Sequence, residues 1–201
     1  MKQLMGDLAI RALFPAILIF WRRLWRSPEI PIGQIHHYFG VEGLVLALRF
    51  LPDRAMVPCL RMAGATVGEK VVVHGPIYIV NFQNRLNNLE IADGVHIGSG
   101  VLIDLANRIT IKANSTISMG VTLLSHQDLG NARPAGENWQ RNDDNLLISN
   151  QSFVGANATI LGGKNLGHRC LVASGAVVAQ NVSDDIMVGG VPARTIASRK
   201  G

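Results

Sequence analysis

The sequence predicts an all-β solenoid of very short parallel strands, a parallel β-helix, with an α-helical segment at its N-terminus. Two observations carry this prediction. From Val67 onward, aliphatic residues recur every six positions, and small residues often follow them. Before Gly64 the chain is instead apolar and arginine-containing, with residues at helical spacing. A period of six fits neither a 3.6-residue helix nor the two-residue alternation of long strands.

Composition and charge narrow the classes of protein. The 201 residues are 48% hydrophobic and 16% charged, which suits one domain with an appendage and excludes a disordered chain. The net charge is +5, but residues 1–64 hold 8 Lys and Arg against 4 Asp and Glu. The basic surplus is therefore local, which weighs against a nucleic-acid groove. Cys59 and Cys170 show no metal-type spacing and fit a reducing cytosol.

The N-terminal segment has the pattern of an interfacial helix. Its apolar run, residues 12–21, is too short to cross a bilayer, which takes about 20 residues, and it ends in WRRLWR rather than a signal cleavage site. On a helix over residues 3–26, one arc is polar and most of the rest is apolar. The arc consists of Gln3, Asp7, Arg11, Arg22 and Arg26. This pattern favours peripheral membrane contact through residues 1–26. Packing on the rest of the protein or on a partner subunit is the alternative.

The second apolar stretch leads into the main domain. From Gly43 it predicts one or two short helices broken at Pro52 and Pro58, after a linker that holds His36 and His37. The predicted organisation is a helical segment over residues 1–63, a β-helix over 64–197 with an inserted loop at 124–147, and a tail over 198–201.

The six-residue repeat predicts where the solenoid core lies. Each anchor is expected to point inward and to stack on the equivalent residue one coil away. The anchors are Val67, Val73, Ile79, Ile91, Ile97, Ile103, Ile109, Ile111, Ile117, Leu123, Ile148, Val154, Ile160, Leu166, Val172 and Val178. At the corners, Gly94, Asn114, Asn150 and Asn157 are predicted to adopt positive φ. The polar loop 81–88 and the excursion 124–147 interrupt the repeat, and such insertions are typical of binding surfaces.

Three stretches resemble the hexapeptide-repeat acyltransferases, within a resemblance that covers residues 64–197. They are LIDLANRITIKANSTISMGVTLLSHQD, ISNQSFVGANATILGG and the closing IMVGGVPARTI. The sequence is most similar to the branch with galactoside and maltose O-acetyltransferases and the enzymes that acetylate capsule or exopolysaccharide sugars. The resemblance implies a left-handed β-helix, a homotrimer with active sites between subunits, acetyl-CoA as co-substrate and no metal.

His126 is the candidate catalytic base. The resemblance places the family's histidine in SHQD, at the start of the long excursion. Transfer from a thioester to a hydroxyl needs a base near neutral pH, and imidazole has a suitable pKa. The same ring then hands the proton to the departing thiolate, so that no covalent acyl-enzyme is required. His74, His96 and His168 occupy ordinary repeat positions.

Three further residues are candidates for binding the acceptor. Asp104 lies 22 residues before His126 and resembles an acidic position near the family's acceptor pocket. It would bind a sugar hydroxyl or orient His126, and a solvated corner aspartate is the competing interpretation. Asp128 is a weaker candidate of the same kind. Asn81 begins the polar loop that is expected to contribute to acceptor recognition.

The resemblance also implies a cofactor wall in the repeats after Ile148. Phe153 matches an aromatic beside the pantetheine arm, and Ala156 and Ser174 match small positions along that arm. Pro192 and Arg194 match positions near the adenine and phosphates, where Arg supplies charge for a phosphate. Small side chains let an extended arm lie close to the backbone, although corner packing alone also accounts for them.

The predicted function is an O-acetyltransferase that moves an acetyl group from acetyl-CoA to a sugar hydroxyl. The acceptor is a free or lipid-linked sugar in capsule, exopolysaccharide or lipopolysaccharide biosynthesis, at the cytoplasmic face of the inner membrane. A γ-type carbonic anhydrase is disfavoured, because no H-x4-H pair occurs. A non-catalytic scaffold in a membrane-associated complex is the remaining alternative.

Overall fold

Two helices precede a three-sided β-solenoid in the computed structural model, which describes residues 29–127 and 142–198. The helices are α1, Glu29–Ala47, and α2, Asp53–Met62. The break at Pro52 is as predicted, but Pro58 lies inside α2 and does not end it. His36 and His37 belong to α1 and not to a linker. The predicted helix over residues 3–26 lies outside the described residues.

Three parallel sheets form the sides of the solenoid, as the period of six predicts. Sheet A consists of β1 Thr66–Val67, β4 Leu89–Ile91, β7 Ile109–Ile111, β12 Leu146–Ile148 and β15 Asn165–Leu166. Sheet B consists of β2 Val72–Val73, β5 His96–Ile97, β8 Thr116–Ile117, β13 Phe153–Val154, β16 Leu171–Val172, β18 Ile186–Gly189 and β19 Arg194–Ser198. Sheet C consists of β3 Ile77–Val80, β6 Val101–Asp104, β9 Thr122–Leu123, β14 Thr159–Ile160 and β17 Val177–Val178. The solenoid matches a left-handed β-helix, so the predicted fold class is confirmed.

Two antiparallel pairings depart from the parallel pattern. β10, His126–Gln127, pairs with β11, Asn142–Asp143, and this hairpin stem closes the base of the long excursion. β19 folds back on β18 at the C-terminal end. The first coil is β1–β3, the second β4–β6, the third β7–β9, the fourth β12–β14 and the fifth β15–β17.

The anchors stack in register, which confirms the predicted core. In sheet B, Val73 pairs with Ile97 and Ile97 with Ile117 in the next coil, and the anchors of sheets A and C pair in the same way. Every predicted anchor is at most 9% exposed. Burial of each such side chain stabilises the folded protein by about 1.5–3 kcal/mol. The stacked anchors therefore hold the coils together.

The helices cover the open end of the first coil. Met56 of α2 lies against Gly75, where an added Cβ would be 2.0 Å from the methionine Cε. Leu44 of α1 and Leu48, in the turn directly after that helix, are fully buried in the same core cluster. Covering the terminal coil shields apolar residues that would otherwise face water.

The corners use positive φ nearly as predicted. Gly94, Asn114 and Asn157 have φ between 56° and 66°. Asn150 was the wrong choice in the fourth coil, because the neighbouring Gln151 takes that conformation, with φ of 58°. Gln151 pairs its backbone N–H with the carbonyl of Ala113, beside Asn114 of the previous coil, so stacking between coils fixes which residue turns.

Candidate active site

The departures from the six-residue repeat gather at one corner, where the chain passes from sheet C to sheet A. Here Ile79 and Ile91 bracket the loop 81–88, and Leu123 and Ile148 bracket the long excursion. The excursion is shorter than predicted, since Leu146 and Leu147 already belong to β12. A third, two-residue insertion lies between Ile103 and Ile111 at the same corner. We call this region the CA corner.

His126 lies at the CA corner and contacts Asp104. The ring Nδ1 of His126 is hydrogen-bonded to Oδ2 of Asp104. Asp104 closes β6, and His126 begins β10 just after the third coil. Because an ionised carboxylate only accepts hydrogen bonds, Nδ1 carries the proton in the neutral ring, and Nε2 is left as the basic nitrogen.

The carboxylate of Asp104 is buried and heavily hydrogen-bonded. Its residue is 1% exposed, so a solvated corner is excluded. Oδ1 accepts from Nδ2 of Asn81 at 3.0 Å and from the backbone N–H of Ala106 at 3.3 Å. Oδ2 accepts from the backbone N–H groups of Ser125 and His126, each at 3.3 Å. Burial of the Asp104 carboxyl pushes its pKa upward, but the hydrogen bonds from the His126 ring, from Asn81 and from the backbone N–H groups of Ala106 and Ser125 outweigh burial and leave the pKa below its ordinary value. Asp104 is therefore a fixed negative charge behind the imidazole.

Ser125 is a structural partner that the sequence reasoning missed. It is fully buried, and its Oγ accepts from the backbone N–H of Asn107 at 2.8 Å. Its carbonyl accepts from Nδ2 of Asn107 at 3.3 Å and from the backbone N–H of Asp144 at 3.1 Å. These bonds tie the two-residue insertion and the returning chain to the residue before His126. The signal was present in the extra spacing between Ile103 and Ile111.

The structure brings some predicted site residues together and separates others. Asn81 lies at the CA corner with His126 and Asp104, and it adopts φ of 56° there. Asp128 lies outside the described residues. The predicted cofactor residues lie on sheet B or at its corner with sheet C; they are Phe153, Ala156, Ser174, Pro192 and Arg194.

The predicted cofactor residues line one wall of the C-terminal coils. Phe153 is 42% exposed on sheet B. One coil further, Gly175 donates its backbone N–H to the carbonyl of Ala156 at 2.8 Å, next to the exposed Ser174. A Cβ on Gly155 would lie 2.6 Å from the backbone nitrogen of Ser174, so packing between coils by itself requires a glycine there. Arg194 is exposed in β19 and leaves this end of the wall positively charged.

Neither cysteine is suited to nucleophilic catalysis. Burial raises the pKa of the Cys59 thiol to about 12, and its Sγ–H donates to the Leu44 carbonyl at 3.4 Å. Burial is also the main reason why the pKa of Cys170 is raised. Thiols held in this form are poor nucleophiles at neutral pH.

Within residues 29–127 and 142–198, no group of three or more His, Cys, Asp or Glu side chains is arranged to hold a metal ion. In the same part of the chain, no helix is long and apolar enough to cross a membrane.

Comparison with curated proteins finds serine acetyltransferases. The chain is 33% identical over 118 residues to the serine acetyltransferase of Buchnera aphidicola subsp. Acyrthosiphon pisum, which covers 57% of this chain and 42% of that protein. The serine acetyltransferase of Escherichia coli K12 is 28% identical over 120 residues, with 60% and 42% covered. The chain thus spans less than half the length of these two curated relatives. No family model matches the sequence.

Comparison with solved structures agrees on the fold. A hexapeptide-repeat-containing acetyltransferase from Vibrio cholerae, complexed with acetyl coenzyme A, superposes with a TM-score of 0.67 at 25% identity, over 80% of this chain and 86% of that one. A galactoside acetyltransferase in complex with coenzyme A gives a TM-score of 0.62 at 20% identity, over 83% and 82%. These comparisons confirm the resemblance stated from the sequence motifs.

Proposed function

From the premise that this chain has the fold of the hexapeptide-repeat acetyltransferases, we propose that it is an acetyl-CoA-dependent O-acetyltransferase. Its acceptor is a sugar hydroxyl, in capsule, exopolysaccharide or lipopolysaccharide biosynthesis. The observation that carries the proposal is the His126–Asp104 pair, which is built into the corner where the long excursion leaves the solenoid. The curated relatives, which are serine acetyltransferases, support the reaction class. Solved structures that contain acetyl-CoA or coenzyme A support it as well.

His126 acts as the general base. Its Nε2 takes the proton of the acceptor hydroxyl while that oxygen attacks the acetyl carbonyl, and the bond from carbon to sulfur then breaks. The carboxylate of Asp104 stabilises the imidazolium that forms and keeps the Nδ1 proton in place. His126 then returns the proton to the leaving thiolate, so protons balance over the cycle. Acetyl-CoA supplies the activated acyl group.

The wall of the C-terminal coils fits an extended thiol arm. Ala156 and Ser174 leave the backbone at the corner accessible, and the exposed Phe153 offers an aromatic surface beside it. Arg194 suits a phosphate at the far end of the wall. Packing between coils already requires glycine at position 155, so this small residue is not by itself evidence for a bound thiol arm.

A second acceptor is favoured by the curated relatives. Proteins 33% and 28% identical to this chain are serine acetyltransferases, so L-serine is the alternative hydroxyl. The same base chemistry serves both acceptors, and only the acceptor pocket distinguishes them.

The test of the proposed function is release of the coenzyme A thiol from acetyl-CoA in the presence of acceptors. The acceptors are a panel of methyl glycosides and L-serine. We expect thiol release that depends on an acceptor, and acetyl-CoA should raise the melting temperature of the folded protein. A protein that neither releases thiol nor is stabilised at millimolar acetyl-CoA would be a scaffold, and the proposal would be wrong.

We also propose that the working site lies between copies of the chain in a homotrimer. His126 occupies the CA corner, whereas the cofactor wall lies on sheet B and its corner with sheet C, so a face of the solenoid separates them within one chain. A neighbouring copy brings its own wall against the histidine.

Mixing two inactive variants tests this arrangement. His126→Ala removes the base, and Ser174→Trp fills the wall at an exposed position. Each variant alone should be nearly inactive. Random mixed trimers should recover activity, because about one quarter of the interfaces pair an intact histidine with an intact wall. A mixture no more active than its separate components would mean that each chain carries a complete site.

Residues 1–26 are proposed to hold the protein at a membrane surface. Their pattern is amphipathic, and α1, which follows them, exposes a further apolar stripe. That stripe includes Phe39 and Leu46, which are 69% and 55% exposed.

Removal of residues 1–26 should shift the protein from the membrane fraction to the soluble fraction. The control replaces Arg22 and Arg26 by Glu, which keeps the length but reverses the charge toward anionic lipid. If the truncated protein remains with membranes as before, the segment packs on protein instead.

A further inference from the structure

The outer side of α1 carries an apolar groove that stays open to solvent in the part of the chain that the structure describes. The groove encloses about 430 Å³ and is lined by Ile35, Phe39, Glu42, Gly43, Leu46 and Ala47. Phe39 is 69% exposed and Leu46 is 55% exposed, whereas Ile32 and Leu44, on the other side of the same helix, are fully buried. Contiguous apolar surface of this kind marks a contact with another surface. We call it the α1 groove.

The charge of the α1 groove restricts what can cover it. Glu42 is the only charged residue among the six that line the groove, and it is exposed. It also lies near the middle of the lining stripe, so a twofold pairing of two such grooves would bring two Glu42 carboxylates together. Like charges that meet in this way repel each other. The groove therefore fits an apolar stripe that has a basic residue beside it, and not a second copy of itself.

The residues that directly precede α1 provide such a stripe. Ile10, Phe14 and Leu18 are spaced four apart, so they share one face of the helix that the sequence predicts over residues 3–26. Arg11 lies beside the first of them. Because this segment is joined to α1 by only a few residues, its effective concentration at the groove is high.

A short turn between the segment and α1 is consistent with the sequence at the junction. Ser27 followed by Pro28 is typical of a helix start, and α1 begins at Glu29. Ser27 also disfavours continuation of the preceding helix, because the residue before a proline avoids the helical conformation. Two helices joined by a turn of two to five residues commonly form an antiparallel hairpin.

The register of that hairpin matches the α1 groove. With the turn over residues 25–28, residues that face each other have numbers that add up to about 53, since both helices rise equally per residue. Phe14 then faces Phe39, and Leu18 faces Ile35. Arg11 faces Glu42, so the one acidic residue of the groove meets a guanidinium.

The bends of the two helices also coincide in this register. α1 is interrupted at Gly40, where φ is 64° and ψ is −156°. A proline inside a helix kinks it, and Pro15 lies within about two positions of the residue that faces Gly40. A straight helix would leave a bent groove at this point, whereas a helix that bends at the same level stays in contact with it.

We propose that, away from a membrane, residues 10–18 cover the α1 groove of their own chain as part of an antiparallel helical hairpin. In this arrangement each apolar surface shields the other from water. The membrane contact proposed above uses the same apolar residues, so the two contacts are alternatives. The proposal goes beyond the acetyltransferase function and does not depend on it.

Disulfide formation in the full chain tests the hairpin, in buffer without lipid or detergent. The double variant Phe14→Cys/Phe39→Cys is oxidised, digested with trypsin without reduction and examined by mass spectrometry. We expect the peptides over residues 12–22 and 27–49 to be joined. Cys59 and Cys170 are buried, so they should not compete for the new thiols.

Ala16→Cys/Phe39→Cys is the matched control. Residue 16 is on the same predicted helix but about 160° around it from residue 14, so it faces away from α1 in the hairpin. Since two cysteines that point apart cannot be bridged without backbone movement, the control should give about tenfold less linked peptide. Unchanged melting temperatures of both double variants would show that they are folded.

Reversal of charge tests the register independently. Added to Phe14→Cys/Phe39→Cys, the change Glu42→Arg should lower the linked fraction about two- to fivefold, because two arginines then face each other. Adding Arg11→Glu as well should restore it.

Two results would overturn the proposal. A linked fraction no higher than in the control pair would mean that the segment does not lie on α1. Linked chains of twice the mass on a non-reducing gel would mean that the groove holds the segment of a neighbouring copy. Neither result bears on acetyl transfer, which is measured separately as thiol release.

Discussion

Replacement of His126 by alanine is expected to lower the rate of acetyl transfer by about 10²- to 10⁴-fold, the usual contribution of a positioned general base. The loss should fall on kcat, since the ring takes a proton only as the hydroxyl attacks. The affinity for acetyl-CoA should stay close to that of the wild type, because the residues predicted to bind the cofactor, Phe153, Ala156, Ser174, Pro192 and Arg194, are all retained.

The measurement is steady-state kinetics together with acetyl-CoA binding by calorimetry. His168→Ala removes an exposed histidine from an ordinary repeat position and serves as the control. His126 is 20% exposed in its side chain and lies outside the anchor column, so the variant should assemble normally. Full transfer by an assembled His126→Ala protein would remove His126 from the mechanism.

Asp104→Asn is expected to produce the second large loss, a decrease in kcat of about 10²-fold. The amide keeps the size of the side chain but not the charge that stabilises the imidazolium. It can also present an N–H where Ser125 and His126 donate their own N–H groups. Leaving one such buried donor without a partner costs about 1–3 kcal/mol. Asp104 acts through His126, so the KM values should change much less than kcat.

The pH dependence of stability gives a readout of the same carboxylate. The pKa of Asp104 is lowered in the folded protein, so its ionised form is the one that folding favours. Its contribution is fully present above the unfolded value of about 3.9 and is lost as the pH falls through the lower folded value. Urea unfolding between pH 6 and pH 3 should therefore show a steeper loss for the wild type than for Asp104→Asn.

Asp53→Asn is the comparison for that experiment. Hydrogen bonds from His74 and Gly75 also lower the pKa of Asp53, but that carboxylate is half exposed. Asp53→Asn should therefore change the loss of stability at low pH less than Asp104→Asn does, because solvent screens the exposed contact between Asp53 and His74. Equal slopes for wild type and Asp104→Asn would contradict the description of Asp104 as a buried carboxylate that is ionised and hydrogen-bonded in the folded protein.

The solenoid could be predicted from sequence because every coil packs its core side chains in the same way. An inward aliphatic every sixth residue is required for stacking, and that requirement leaves a strict period in positions such as Ile148, Val154 and Ile160. The choice of turn residue was less determined. Gln151 and not Asn150 adopts positive φ, because hydrogen bonding to the previous coil decides it.

The site was predictable in part. His126 followed from its motif, but the role of Asp104 depends on burial and on the Nδ1 contact, which spacing alone does not supply. The partnership of Ser125 with Asn107 arises where two insertions meet in space, from residues 18 apart in sequence. The helical position of His36 and His37 was missed because α1 is interrupted at Gly40, where φ is 64° and ψ is −156°, so its apolar residues follow no single helical period.

The most direct test of the central claim follows the acetyl group itself. Acetyl-CoA labelled with ¹³C in the acetyl carbonyl is incubated with the protein and the glycoside panel, and the products are examined by NMR and by mass spectrometry of the intact chain. The account predicts a labelled O-acetyl ester on a sugar, no label on the protein, and loss of the ester signal in His126→Ala. Label retained on Cys59 or Cys170, or ester formation that survives His126→Ala, would contradict it.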